Sequence, residues 1–300
     1  MAEHIPVLLD TDIGSDIDDA VALAYLLRQP RCQLLGITTV TGDVAKRAAC
    51  AEVVCRAAGR FDVPIHCGAS RGLFIGPGQP DVPQYQAIRR RIHQVTWPPN
   101  TAIDFLRRTI RQRPGQITLL TIGPYTNIAA LFAADPETPS LLKQIVSMGG
   151  IYFTDADRRE WNAMVDPLAT AIVYHNRIPR HVSLGLDVTL QCQLPAQQVR
   201  ERFRTPPLDV VEEMAEVWFS HVEKVTFHDP LAAATIFRPE LCRYAQGEIT
   251  VSIDLDSQKA GHTRFAEHAG GPHLVATSVS VEAFFNEYFS VFQPGNLAQT

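Results

Sequence analysis

Val7-Leu8-Leu9-Asp10-Thr11-Asp12-Ile13-Gly14-Ser15-Asp16-Ile17-Asp18-Asp19-Ala20 runs from an apolar segment straight into five carboxylates. The apolar run reads as a strand buried on both faces, and it fixes where the acids sit. Acids this close repel one another. A hard cation relieves that repulsion, because Ca²⁺ and Mg²⁺ take oxygen ligands and carboxylates gathered at a strand end supply them. An acidic helix start is the competing reading, since aspartate in a first turn suits the helix dipole. Capping does not need so many acids.

Outward from this stretch, strands and helices alternate. Residues 18–27 are strong helix formers stopped by Gln29-Pro30, residues 34–40 are a second apolar strand, and residues 45–58 are an alanine-rich helix ended by Gly59. Such βαβα alternation predicts a mainly parallel, Rossmann-like open sheet flanked by helices, with ligands beyond the carboxyl ends of the strands. A short strand at 63–67 leads into 68–99, rich in glycine and proline at its start, with a helical extension predicted over 84–97. A loop of that length in a compact domain reads as a cover over the active edge. Asn100 is expected to cap a helix to Gln112, followed by a strand at 117–121, a helix at 126–134 and a strand at 145–148. Residues 151–166 form a polar irregular stretch containing Asp155, Asp157, Arg158 and Arg159, and Pro167 opens a helix to His175. A strand at 181–186, helices at 195–204 and 208–223, strands within 248–279 and a last helix at 281–292 complete the reading. Without linker or repeat, residues 1–300 are expected to form one α/β domain.

Composition narrows the function classes. Lys plus Arg number 27 against 32 Asp plus Glu, and this slight acidity with no basic run argues against nucleic acid and a membrane surface and for a small-molecule partner. The six cysteines show no C-x-x-C spacing and read as reduced core residues. The chain passes from Met1 to its first strand without room for a signal peptide, and no apolar stretch reaches spanning length, so a cytoplasmic location is expected.

Three separated segments bring oxygen donors to strand ends: the acidic turn, the Ile122-Gly123 turn and Asp229. Their motifs are Asp10-Thr11-Asp12 with Asp18-Asp19-Ala20, residues 36–43, Gly123-Pro124-Tyr125-Thr126-Asn127, Met148-Gly149-Gly150, Glu160-Trp161-Asn162 with Asp166-Pro167, and His228-Asp229-Pro230. In that order they resemble the nucleoside hydrolase family, the inosine–uridine-preferring N-ribohydrolases. The resemblance implies calcium-dependent hydrolysis of the N-glycosidic bond of ribonucleosides. It implies that Asp12 binds Ca²⁺ and is the general base on the attacking water, that Asp19, Asp229 and the carbonyl of Ile122 complete the metal ligands, and that His228 protonates or polarises the leaving base. Asp18, Glu160 and Asn162 would meet the ribose hydroxyls, Met148 would pack beneath the sugar, and Asp10 would support the turn. Asp43 stands where many relatives have asparagine and joins the substrate contacts; Thr154 stands near where relatives use asparagine at the ribose 5′-hydroxyl. Relatives often form dimers or tetramers, so a homodimer or homotetramer is expected.

The acidic turn is two residues longer than the family's common form, which leaves Asp16 without a role. Trp97, Trp218, His221 and Phe227 are the candidates for facing the base. Two other readings compete. One is a non-catalytic calcium- or ribose-binding protein on the same fold. The other is an Asp-x-Asp phosphatase of the haloacid dehalogenase type, against which stand Gly14 where that family wants Thr or Val and the lack of a late Gly-Asp-x-x-x-Asp.

Overall fold

The computed structural model describes residues 4–73, 78–154, 158–254 and 258–293. The strands in chain order are β1 (Ile5–Thr11), β2 (Cys32–Thr39), β3 (Ile65–Cys67), β4 (Thr118–Thr121), β5 (Gln144–Met148), β6 (His181–Leu184), β7 (Gln193–Pro195), β8 (Lys224–Thr226), β9 (Cys242–Val251), β10 (Thr263–Glu267) and β11 (His273–Val279). Nine of these described strands form one sheet in the order β10-β9-β11-β6-β5-β4-β1-β2-β3. Every pairing from β3 to β11 is parallel, and β9 runs antiparallel to both β11 and β10 at one edge.

β1 lies inside the sheet, between β4 and β2, with its apolar residues buried on both faces. The two-residue side-chain period sends Val7 and Leu9 into one core and Leu8 into the other. The helix Asp18–Arg28 packs into the first core and the helix Thr126–Ala134 into the second, so the sheet is covered on both sides. The chain steps outward from β1 to β2 and β3, then returns to place β4 on the other side of β1. The direction of winding therefore reverses between β1 and β4, which opens a crevice at their carboxyl ends.

The single α/β domain with a mainly parallel sheet matches expectation, and the helices Thr126–Ala134 and Pro167–His175 begin and end where their sequence signals lie. Elsewhere the bounds move. Asn100 takes a left-handed φ of 56° and the helix starts at Ala102, with Thr101 at its cap. The extension predicted over 84–97 reduces to a short helix, Tyr85–Ile88. The strand expected at 181–186 stops at Leu184 and gives way to the short helix Leu186–Thr189. The helix predicted over 208–223 ends at Phe219, because β8 follows and pairs antiparallel with β7 in a small separate sheet. Asp155 and Asp157 lie outside the described residues. Among the described residues, no helix is long and apolar enough to cross a membrane.

Candidate active site

At the β1/β4 crevice, Asp12, Asp18, Asp19, Ile122, Met148, Glu160, Asn162, His228 and Asp229, the residues expected at the metal, the sugar and the leaving base, line one cavity of about 600 Å³, and Asp43 does not. Different elements deliver them. β1 ends at Thr11 and passes Asp12 to the turn, Asp18 and Asp19 open the following helix, and Ile122 follows β4. Met148 ends β5, Glu160 caps the helix Trp161–Val165, and His228 and Asp229 form the first turn of the helix His228–Phe237. The last pair thus lies inside the helix start and not before it. Asp16, the unassigned acid, lines the same cavity.

Asp10 faces away from the cavity. Its Oδ1 accepts hydrogen bonds from the Thr38 hydroxyl and from Asn127 Nδ2 (2.7 Å), while Oδ2 is buried without a partner. Burial pushes its carboxyl up to about 7 despite those two donors. Asn127 also donates to Thr39 O (3.1 Å) and accepts from Ala69 N (2.8 Å), so one amide ties β1, β2 and the start of the cover together. Asp10, expected to support the turn, instead ties the end of β1 to β2 and to the helix Thr126–Ala134.

The remaining acids crowd one another. Asp18, Asp19 and Asp229 each place a carboxylate oxygen within 4.8 Å of the others, and all three are buried. Burial raises their carboxyls well above the ordinary aspartate range, and the neighbouring carboxylates raise them further. Asp12 is raised by burial as well, against the pull of Arg47. Oxygen donors of like charge, gathered at a switch point, fit a hard divalent cation. The closest triplet contains Asp18, expected on the sugar, and leaves Asp12, expected on the metal, beside it. Asp18 Oδ2 accepts the Asp229 amide (3.2 Å) and Asp19 Oδ1 accepts the Thr11 hydroxyl (2.5 Å).

The polar wall opposite is already engaged with backbone. Glu160 accepts from Asn162 N (2.8 Å), Ala163 N (2.9 Å) and Gly150 N (3.1 Å), which caps its helix and orients both oxygens. Asn162 Nδ2 donates to Ile122 O (2.9 Å) and to Met148 O (3.3 Å). The Ile122 carbonyl expected at the metal therefore already accepts one hydrogen bond and has one lone pair left. Across the cavity, His228 Nδ1 lies 2.7 Å from the Thr189 hydroxyl, so Nε2 is the nitrogen left for a ligand. Burial, and then the nearby Arg158 guanidinium, push its imidazole down to about 4 and hold the ring neutral at physiological pH.

Asp43 corrects the expectation for it. It caps the helix Val44–Ala57, accepting from Lys46 N (3.1 Å) and pairing with Lys46 Nζ (2.8 Å), away from the cavity. Thr154 likewise turns to Asp187, bonding its Oδ1 through both N (2.9 Å) and Oγ1 (2.8 Å). Of the base-facing candidates, Trp218 and His221 line the cavity. Trp97 lines a separate cleft and Phe227 is buried against Phe284, Phe285 and Tyr288. Gln79 and Pro83 place part of the 68–99 region on the cavity wall. Sequence reasoning missed Thr189, whose one signal is its hydroxyl, and Arg47, which an alanine-rich helix makes look like a solvated side chain.

A sequence model described as inosine-uridine preferring nucleoside hydrolase matches residues 7–286. Uridine nucleosidase 1 of Arabidopsis thaliana is 29% identical over 283 residues, covering 88% of this chain and 82% of that protein. A pyrimidine-specific ribonucleoside hydrolase of Escherichia coli is 32% identical over 264 residues, covering 79% and 81%. The solved structure of a plant nucleoside hydrolase superposes with a TM-score of 0.82 at 22% identity, over 97% of this chain and 99% of that one.

Proposed function

Because the chain belongs to the inosine-uridine preferring nucleoside hydrolase family and is thus an N-glycosyl hydrolase of ribonucleosides, we propose that it is calcium-dependent and that Asp12 is its general base. The observation that carries this reading is the cluster of buried carboxylates at the β1/β4 crevice, with oxygens of Asp18, Asp19 and Asp229 within 4.8 Å of one another. Asp12, Asp19, Asp229 and the free lone pair of the Ile122 carbonyl would hold the cation. When bound, a Ca²⁺ ion neutralises the crowded acids and acidifies water.

The chain's own groups account for the remaining roles. Asp12 accepts the proton of the attacking water as its oxygen bonds to C1′ and the bond from C1′ to the base nitrogen breaks. Carboxylates around the sugar favour the positive charge that develops on the ribosyl ring. Asp18, with Oδ2 held by the Asp229 amide, offers Oδ1 to a ribose hydroxyl, and Glu160 and Asn162, oriented by backbone contacts, face the same sugar. Met148 is its apolar floor. In the tautomer that carries its proton on Nε2, with Nδ1 against the Thr189 hydroxyl, His228 would polarise the departing base rather than fully protonate it.

Two relatives are named for pyrimidine ribonucleosides, which makes uridine the first substrate to test. One catalytic domain with the 68–99 region as its cover belongs to the same proposal. So does a cytoplasmic location, supported by six free cysteines. Assembly into a dimer or tetramer is supported by the exposed Phe61, Ile92 and Val95. Asp12→Asn tests the base assignment: ribose release from uridine drops by roughly 10²–10⁴-fold while the melting transition persists. A folded, fully active variant overturns it.

A further inference from the structure

Arg47 is fully buried within the helix Val44–Ala57, and among the described residues it forms no ion pair. A buried guanidinium is costly unless its donors are met, and here they are met by groups from two separate segments, the acidic turn and the cover, with one more contact to the loop after β2. On the acidic turn, Nη1 donates to Asp12 O, to Ile13 O (3.2 Å) and to Ser15 Oγ (3.0 Å). On the cover, Nη2 donates to Gln79 O (3.0 Å). Nε donates to Thr41 O (2.7 Å), which anchors the side chain to the loop after β2.

The two segments that Arg47 joins also meet directly. The Ser15 hydroxyl donates to Asp81 O (3.3 Å), Gln84 Nε2 donates to Ser15 O (3.0 Å), and Gln84 N donates to Gly14 O (3.1 Å). Gly14 has a φ of 115°, and a Cβ there would lie 2.4 Å from Val82 Cγ1, so turn and cover are in close contact. Ser15, Gln79 and Pro83 line the cavity alongside Asp12 and Asp16. The acidic turn thus does not hang free: Asp12, Ile13 and Ser15 are all held by the Arg47 guanidinium.

We infer that Arg47 is a positioning residue, a buried strap that fastens the cover at 79–84 to the acidic turn at 12–15 so that the cavity wall and its carboxylates move as one unit. A planar fork spans both segments, and a lysine, with the same charge on a single nitrogen, does not. Charge and span can therefore be separated by Arg47→Lys. Its reading through kinetics rests on the proposed nucleosidase activity; its reading through hydrogen exchange does not.

Amide exchange is measured on the intact chain as wild type, Arg47→Lys and Ser15→Ala, together with KM and kcat for uridine. In Arg47→Lys the amides of 79–84, Gln84 among them, exchange on the order of tenfold faster, while β4 and β5 keep their protection. KM rises several-fold with a smaller change in kcat. Ser15→Ala, which removes the hydroxyl shared by Arg47 and Asp81, moves the same amides in the same direction by less. Unchanged exchange at 79–84 in Arg47→Lys, or a uniform rise across all strands, overturns the inference. Should Arg47→Lys fail to fold, unchanged exchange at 79–84 in Ser15→Ala overturns it instead. An uncleaved uridine in the wild type counts against the proposed activity and leaves the exchange result to decide the strap.

Discussion

Asp12 and Asp43 are acids just past the ends of neighbouring parallel strands, yet only Asp12 faces the cavity. Asp43 meets the orphan amides of the helix it starts. Asp43→Ala therefore changes kcat/KM for ribose release by less than about threefold and costs roughly 1 kcal/mol in a denaturant melt; a large loss of activity with intact stability returns Asp43 to the site. His228 supports a sharper test. In its proposed role as a hydrogen-bond donor to the leaving base, it matters only where that group leaves poorly. His228→Ala lowers kcat/KM for uridine by about 10²-fold or more, yet leaves p-nitrophenyl riboside, whose phenolate departs unaided, nearly untouched. Equal losses on both substrates indicate a role in the sugar site. The acids of 10–19 were legible because they crowd a single turn. Arg47 was not, because no local pattern shows that its helix faces a neighbouring carbonyl-rich turn.

At the scale of elements, β6 and β11 pair with His181 opposite His273. The two rings sit 5.2 Å apart, His181 Nε2 lies 3.0 Å from Ser147 Oγ, and His181 Nδ1 has no partner. Burial pushes both imidazoles down, and the His273 ring lowers His181 further. The unfolded chain therefore takes up protons below the ordinary histidine range that the folded pair refuses. The pair's contribution is highest above that range and declines as pH falls through it. His181→Gln keeps a donor toward Ser147 but does not titrate, so its melting temperature falls less than the wild type's between about pH 7.5 and about pH 5.5. Parallel curves contradict this. Long elements with clear stops, such as Thr126–Ala134, could be read from local signals. The three-residue strands β7 and β8 could not, because their pairing depends on chain brought together across two helices.

For the whole molecule, alternation in the sequence made the parallel sheet and its active edge legible, while the position of the crevice depended on strand order. β1 and β4 are far apart in sequence, and their adjacency comes from the chain reversing its direction of winding. That reversal brings Asp12, Ile122, Glu160 and Asp229 to one cavity, and the raised carboxyls there make the site a poor resting place for uncompensated charge. The central claim is that this charge serves a divalent cation used in cleaving ribonucleosides. Reducing-sugar release from a panel of purine and pyrimidine ribonucleosides, before and after chelation and again after Ca²⁺ is restored, tests it directly. The account predicts release from at least one member, lost with chelator and recovered with calcium. No release from any member, or release that chelation leaves unchanged, contradicts it.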